Sequence, residues 1–172
     1  MKNFYSLLLL SFILSTSLFA QKQGISIGGN VHFPIGDFAE IASIGYGGSA
    51  TYEHPIARNT SAMLYTGYTY FDGATEGDSW TMIPLVAGVK AYLSPKLDWY
   101  FAGLLGVNFI TKDYSNIILG TGSVSSTEFA GNLNFGYELK TSEKGALDIS
   151  AGYVYISGLN YIAGRVAYIF KF

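Results

Sequence analysis

The chain has 172 residues, enough for one domain, of which 49% are hydrophobic and only 13% charged, about half the usual ~25%. A net charge of −2 gives no basic face for nucleic acid. With no cysteine, disulfides, thiolate nucleophiles, cysteine metal sites and a lipid-modified N-terminal cysteine are all excluded.

The first twenty residues, MKNFYSLLLLSFILSTSLFA, have the order of an export signal: Lys2, an apolar stretch from Phe4 to Leu14, then Ser15, Thr16, Ser17 and a cleavage position after Ala20. Leu18, the third residue before the cut, is less usual there than alanine. The apolar stretch is too short for a spanning helix of about 20 residues, so a cleaved signal over residues 1–20 is expected rather than a retained anchor. That leaves one domain over residues 21–172.

From there the chain alternates with period two between turn-forming segments, the pattern of β-strands. GISIGGNVHF sets Ile25, Ile27, Val31 and Phe33 against Ser26, Gly28, Asn30 and His32, and IGYGGSATYEH sets Ile44, Tyr46, Ala50 and Tyr52 against Gly47, Ser49, Thr51 and Glu53. TSAMLYTGYTYF is a third strand with large residues in both registers. WTMIPLVAGVKAYL places Ile83, Leu85, Ala87, Val89, Ala91 and Leu93 opposite Pro84, Gly88, Lys90 and Tyr92. LDWYFAGLLGVNFI places Trp99, Phe101, Leu105, Val107 and Phe109 opposite Asp98, Tyr100, Gly106 and Asn108. EFAGNLNFGYELK alternates most cleanly, with Phe129, Leu133, Phe135, Tyr137 and Leu139 against Glu128, Asn132, Asn134, Glu138 and Lys140. ALDISAGYVYI opposes Leu147, Ile149, Tyr153 and Tyr155 to Asp148, Ser150 and Gly152. The last, GRVAYIFKF, runs to the final residue, with Val166, Tyr168, Phe170 and Phe172 in one register and Arg165, Ala167, Ile169 and Lys171 in the other.

Connections after the second, fourth and sixth strands are short (PIARN, SPK, TSEKG), whereas those after the first, third and fifth are longer: Pro34–Ser43, DGATEGDS and Thr111–Ser125. SGLN, after the seventh, is short. Such alternation fits an antiparallel up-and-down barrel with turns at one end and loops at the other.

Eight strands can close with the apolar register inside, as in a soluble lipocalin-like barrel that binds an apolar small molecule, or outside, against lipid. The polar register is rich in glycine, serine and asparagine and holds one or two charges per strand. That would solvate an outer surface poorly, but it suits a narrow interior filled by side chains. The expected fold is therefore all-β, an eight-stranded transmembrane barrel. Aromatic girdles are expected from Phe33, Tyr46, Tyr70, Trp80, Phe109, Phe129, Tyr155 and Tyr161 at one rim and from Tyr52, Trp99, Tyr137, Phe170 and Phe172 at the other. Charges in the enclosed lumen must be paired, so a network of Glu53, Lys90, Asp98, Glu138, Asp148 and Arg165 is expected, with Lys140 in the same register.

Through PIGDF after the first strand, IPLVAGVKAYLS in the fourth and the terminal YIFKF, the chain resembles the small eight-stranded outer-membrane barrels of Gram-negative bacteria, the OmpA-transmembrane-domain and OmpX-like barrels. The resemblance implies residence in the outer-membrane bilayer as a monomer. It also implies a C-terminal signal for the insertion machinery, carried by Arg165, Phe170 and Phe172, with Ala167 where glycine is usual. It fixes no activity. No cofactor, metal or catalytic residue is expected. His32 and His54 fall near opposite ends of such a barrel, and Glu138 facing Asp148 reads as part of the ionic network rather than as an acid–base pair. The expected role is structural, with exposed loops for adhesion or partner contact. Alternatives are the lipocalin-like binder and a lipid-modifying membrane enzyme built on His32.

Overall fold

The computed structural model describes residues 23–94, 97–116 and 120–172; the expected signal segment lies outside them. Eight antiparallel strands close into a barrel in sequence order: β1 (Gly24–Pro34), β2 (Ala42–Ala57), β3 (Thr60–Gly73), β4 (Ser79–Ser94), β5 (Leu97–Asn116), β6 (Gly120–Ser142), β7 (Gly145–Ile156) and β8 (Tyr161–Lys171). Closure comes from β8 pairing β1 over the whole length of β1, Gly24↔Lys171 to Pro34↔Tyr161. One short helix, α1 (Phe38–Ile41), interrupts the β1–β2 connection.

The turn end of the barrel has two-residue connections at Arg58–Asn59 and Glu143–Lys144. At the loop end lie the β1–β2 segment with α1, residues Ala74–Asp78, and Ser157–Asn160. Of the expected long loop Thr111–Ser125, residues 111–116 and 120–125 instead continue β5 and β6, whose register runs unbroken from Trp99↔Tyr137 to Asn116↔Gly120. Serine and threonine read as loop residues by composition, yet cross-strand pairing seats them readily, as Thr111 Oγ1 against Ser125 Oγ at 3.1 Å shows.

The surface is inverted relative to a protein in water. Leu133 is 68% exposed and Ile27 61%, while Lys90 is 0% exposed. The outward register of every strand is the apolar one, including β3, where Leu64 and Tyr68 face out and Ser61, Thr69 and Phe71 face in. A barrel with polar groups inside and a continuous apolar exterior is built to sit in lipid, where closure pairs the backbone. This excludes the lipocalin-like arrangement.

The lumen is not polar throughout, as the sequence suggested. Its loop-end half is apolar: Phe38, Phe71, Met82, Ile110, Ile156 and Tyr161 are all buried. The connection PIGDF produces this. Pro34 ends the β1 ladder opposite Tyr161, the Ile35 amide donates to Asn160 O at 3.0 Å, and Gly36 takes the left-handed conformation at φ 59°. The chain then turns through α1 and drops the Phe38 ring into the barrel mouth, 5.1 Å from Phe71 and 5.9 Å from Trp80 between centroids. Two residues assigned to the outer aromatic girdle, Trp80 and Tyr161, therefore belong to this plug. They share the inward registers of Met82 and Arg165, and strand alternation overrides their preference for an interface. Phe33, Tyr46, Phe109, Phe129 and Tyr155 do face outward at that rim.

Close strand packing sets a sharp requirement at Gly88, where an added Cβ would collide with the Gly103 carbonyl and Leu104 Cα of β5. Gly48 faces outward, and the nearest atom to its added Cβ would be Gly28 O at 3.6 Å. Urea unfolding in detergent should show Gly88→Ala destabilised by about 1–3 kcal/mol, with Gly48→Ala within about 0.5 kcal/mol of the parent.

Candidate functional site in the barrel lumen

Toward the turn end the inward register brings six charged side chains together, three cationic and three anionic. Lys90, in the turn-end part of β4, donates to both oxygens of Glu53 at 3.0 and 3.2 Å and also bonds Glu138 Oε1. Its ammonium lies 3.9 Å from Asp148 Oδ2 and 4.0 Å from the centre of the Tyr100 ring. Lys171 of β8 donates to the other Glu138 oxygen at 2.8 Å. Arg165 donates to Asp148 Oδ1 at 3.1 Å, Ser49 Oγ at 3.0 Å and Ser26 Oγ at 2.7 Å. Two tyrosines complete the network: Tyr92 donates to Glu138 Oε1, the oxygen that Lys90 also bonds, and Tyr100 to Asp148 Oδ2 at 2.7 Å.

Geometry explains why these residues meet. Glu138 and Asp148 are direct cross-strand partners on β6 and β7, so both carboxylates enter the lumen at one level. Two like charges so placed repel unless cations lie between and beside them, and Lys90, Lys171 and Arg165 do so. Burying an ion costs several kcal/mol, which only close pairing and full hydrogen bonding offset. The plug meets both conditions.

Of the expected network, the structure gathers Glu53, Lys90, Glu138, Asp148 and Arg165. Asp98 stands apart: it pairs with Lys140 at 3.5 Å, and the Lys140 side chain is 66% exposed. Both lie near the ends of their strands, where the inward register reaches water at the rim rather than the enclosed lumen. The sequence reading missed Lys171, although it shares the register of Arg165 and lies beside the lumen at the end of β8. Period two gives the face; how far along the axis each residue sits depends on strand stagger.

Between the ionic plug and the apolar plug lies a cavity of about 40 Å³ bordered by Asn30, His32, Tyr65, Asn132, Asn134 and Arg165. It has room for roughly three waters. Two buried atoms that have no protein partner, His32 Nδ1 and Asn132 Oδ1, come from its lining. The polar contact of His32 is Thr69 Oγ1 at 3.3 Å, and its ring lies edge-on to Tyr161. His54 sits at the opposite end beside Tyr52, so the two histidines serve no common site. Among the described residues no group of three histidine or acidic side chains is placed to hold a metal ion.

These features define a closed transmembrane β-barrel of the small outer-membrane type. No protein-family model matches the chain, and no curated protein matches its sequence. Solved structures of similar fold include Ail, the attachment invasion locus protein of Yersinia pestis, with TM-score 0.65 and 15% identity over 88% of this chain and 99% of that one. Neisserial surface protein A gives TM-score 0.61 and 10% identity over 87% of this chain and 97% of its own. The outer membrane protein OprG from Pseudomonas aeruginosa gives 0.55 and 14% over 88% and 96%. At such identities the likeness is one of fold.

The plug makes a graded prediction for thermodynamic stability in detergent. Lys90→Met leaves Glu53 and Glu138 without their central cation and should cost about 3–5 kcal/mol, as breaking a buried ion pair does. Lys140→Met removes only an exposed partner of Asp98 and should cost less than about 1 kcal/mol. Arg165→Leu should lower the unfolding temperature. An unchanged transition for Lys90→Met or Arg165→Leu would show the network to be energetically idle.

Proposed function

We propose that this chain is a non-enzymatic surface protein of the outer membrane of a Gram-negative bacterium, in which a monomeric, closed barrel anchors and displays its loop end for adhesion or partner contact. The observation that carries this reading is the combination of an apolar exterior with a lumen filled from both ends. Such a body holds a position in lipid but offers no passage for solutes and no chamber for a substrate. On this reading the loop end faces outward and the turn end faces the periplasm.

Export is attributed to residues 1–20, and assembly to the closing strand β8. The side chains of Phe170 and Phe172 point outward from the barrel, and Arg165 lies on the opposite face of β8. A terminal aromatic strand of this kind suits recognition by the insertion machinery before the barrel has closed. Once the chain is folded, the Phe172 amide donates to Gln23 O at 2.9 Å, one bond among many. Deleting Phe172 should therefore reduce the fraction inserted in cells far more than it lowers the unfolding temperature of protein refolded in detergent. Equal effects would locate its role in stability instead.

One Ail structure is a complex with the heparin analogue sucrose octasulfate. That ligand class does not suit this chain, whose loop-end segments and β5–β6 extension hold Asp37, Glu40, Asp72, Glu76, Asp78, Asp113 and Glu128 against Lys112 among the described residues. A polysulfate would meet repulsion there.

Two measurements test the reading. Unboiled protein in SDS should migrate differently from boiled protein, and cell fractionation should place it in the outer membrane; recovery from the soluble periplasm without detergent would overturn the assignment. Replacing His32 with Ala should leave envelope lipid composition unchanged, and a change would favour the lipid-modifying alternative.

A further inference from the structure

The barrel mouth is stoppered by a strap. Residues Gly36–Glu40 run between two backbone anchors, the Ile35 amide on Asn160 O at 3.0 Å and the Ala74 amide on Ile41 O at 3.0 Å. Between the anchors the backbone bonds are local: the Ala39 amide to Gly36 O, the Glu40 amide to Asp37 O and the Ala42 amide to Phe38 O. Gly36, Asp37, Ala39 and Glu40 are exposed, so the fully buried Phe38 ring is what holds the strap down. Gly36 supplies a pivot, because its φ of 59° is free to glycine and strained for other residues.

What Phe38 seals is not a plain hydrocarbon core. Phe71, Met82, Ile110 and Tyr161 form the walls, but two polar side chains are set among them. Asn108 is 0% exposed and approaches the Tyr161 hydroxyl, yet neither its amide nitrogen nor its amide oxygen has a partner of good geometry. By register it shares the inward face of β5 with Ile110, which lies opposite Met82 of β4. The indole nitrogen of Trp80, whose ring meets Phe38 edge-on, is also buried and unpartnered. Buried polar atoms are nearly always paired, so three unpaired ones in one plug call for a group that a phenylalanine ring lacks.

We infer that the mouth is a binding site for a small neutral aromatic molecule bearing a hydroxyl, a phenol by class, and that Phe38 is its built-in occupant, lifted on the strap when the ligand enters. In the closed form there is no chamber; the site is the space that Phe38 vacates. A ligand ring repeats the edge-to-face contacts of Phe38 with Phe71 and Trp80. A hydroxyl can accept from the Asn108 amide or Trp80 Nε1 and donate to Asn108 Oδ1. A carboxylate would be repelled, because Asp37 and Glu40 stand on the strap and Asp72, Glu76 and Asp78 beside it. The inference rests on the loop end being the displayed end, which puts the strap within a ligand's reach.

The test uses the chain in phospholipid nanodiscs, with insertion verified first by heat-dependent migration. The chain has two tryptophans, Trp80 in the mouth and Trp99 facing lipid at the turn end, so their indole N–H signals in NMR separate binding from partitioning into lipid. Phenol should shift the Trp80 signal saturably and leave Trp99 unmoved, and benzoate should bind at least about tenfold more weakly at low salt. Gly36→Val strains the closed strap, with nothing within 4 Å of the added carbon, and should tighten phenol binding several-fold. Phe38→Ala removes the competing ring and should tighten it about tenfold or more. Asn108→Leu should abolish the preference for phenol over toluene. A saturable shift in Phe38→Ala but not in the parent would make Phe38 a fixed plug and overturn the inference. Equal shifts of both indoles, or an affinity that Gly36→Val leaves unchanged, would overturn it too. Equal binding of benzoate, or a phenol preference that survives Asn108→Leu, would overturn the ligand class. Failure of the parent chain to insert would instead overturn the reading of an anchored barrel.

Discussion

Closure of β8 on β1 is the constraint on which the rest of this structure depends. In hydrocarbon an unpaired backbone N–H or C=O costs several kcal/mol. A sheet can meet that demand only by having no edge, and the eleven-residue ladder from Gly24↔Lys171 to Pro34↔Tyr161 removes the last one. Once the barrel is closed, the outer register must be apolar because lipid surrounds it. The inner register must then fill whatever space eight strands enclose.

That space is small, and its filling follows from its two ends. Toward the turn end the polar register supplies carboxylates and cations largely shielded from bulk water, so they neutralise one another around Lys90. Toward the loop end, β3, β4, β5, β7 and β8 contribute apolar side chains and α1 adds Phe38 from above. A charged seal and an oily seal are different solutions to the same problem. The first gives directional pairing that fixes the register of distant strands; the second gives non-directional burial that tolerates a connecting segment. The small polar cavity between them is where neither chemistry reaches.

Beyond the membrane the constraint lapses, and so does closure. There β5 and β6 continue as a ribbon that water can solvate on its free side.

Much of this was legible in the residues themselves. Period-two alternation in EFAGNLNFGYELK and GRVAYIFKF assigns each side chain to a face, and sparse charge decides which face meets lipid. Strand number, closure, the inverted surface and five members of the ionic plug follow from that local rule. What alternation cannot give is position along the barrel axis, which depends on stagger between strands. For that reason alternation alone puts Asp98 in the plug and leaves Lys171 out, and it does not separate Trp80 and Tyr161 from a lipid interface. Phe38 lay outside any strand pattern, so only the fold of the β1–β2 connection revealed its place in the mouth. Serine-rich Thr111–Ser125 has a loop's composition because composition reports solvent exposure, whereas a hydrogen-bonded neighbour decides whether a segment is a strand. The sequence by itself determined which way each side chain faces, because that is set by backbone geometry within one strand. Only the tertiary structure decided which side chains meet, because that is set by how far each strand slides against the next before the ring closes.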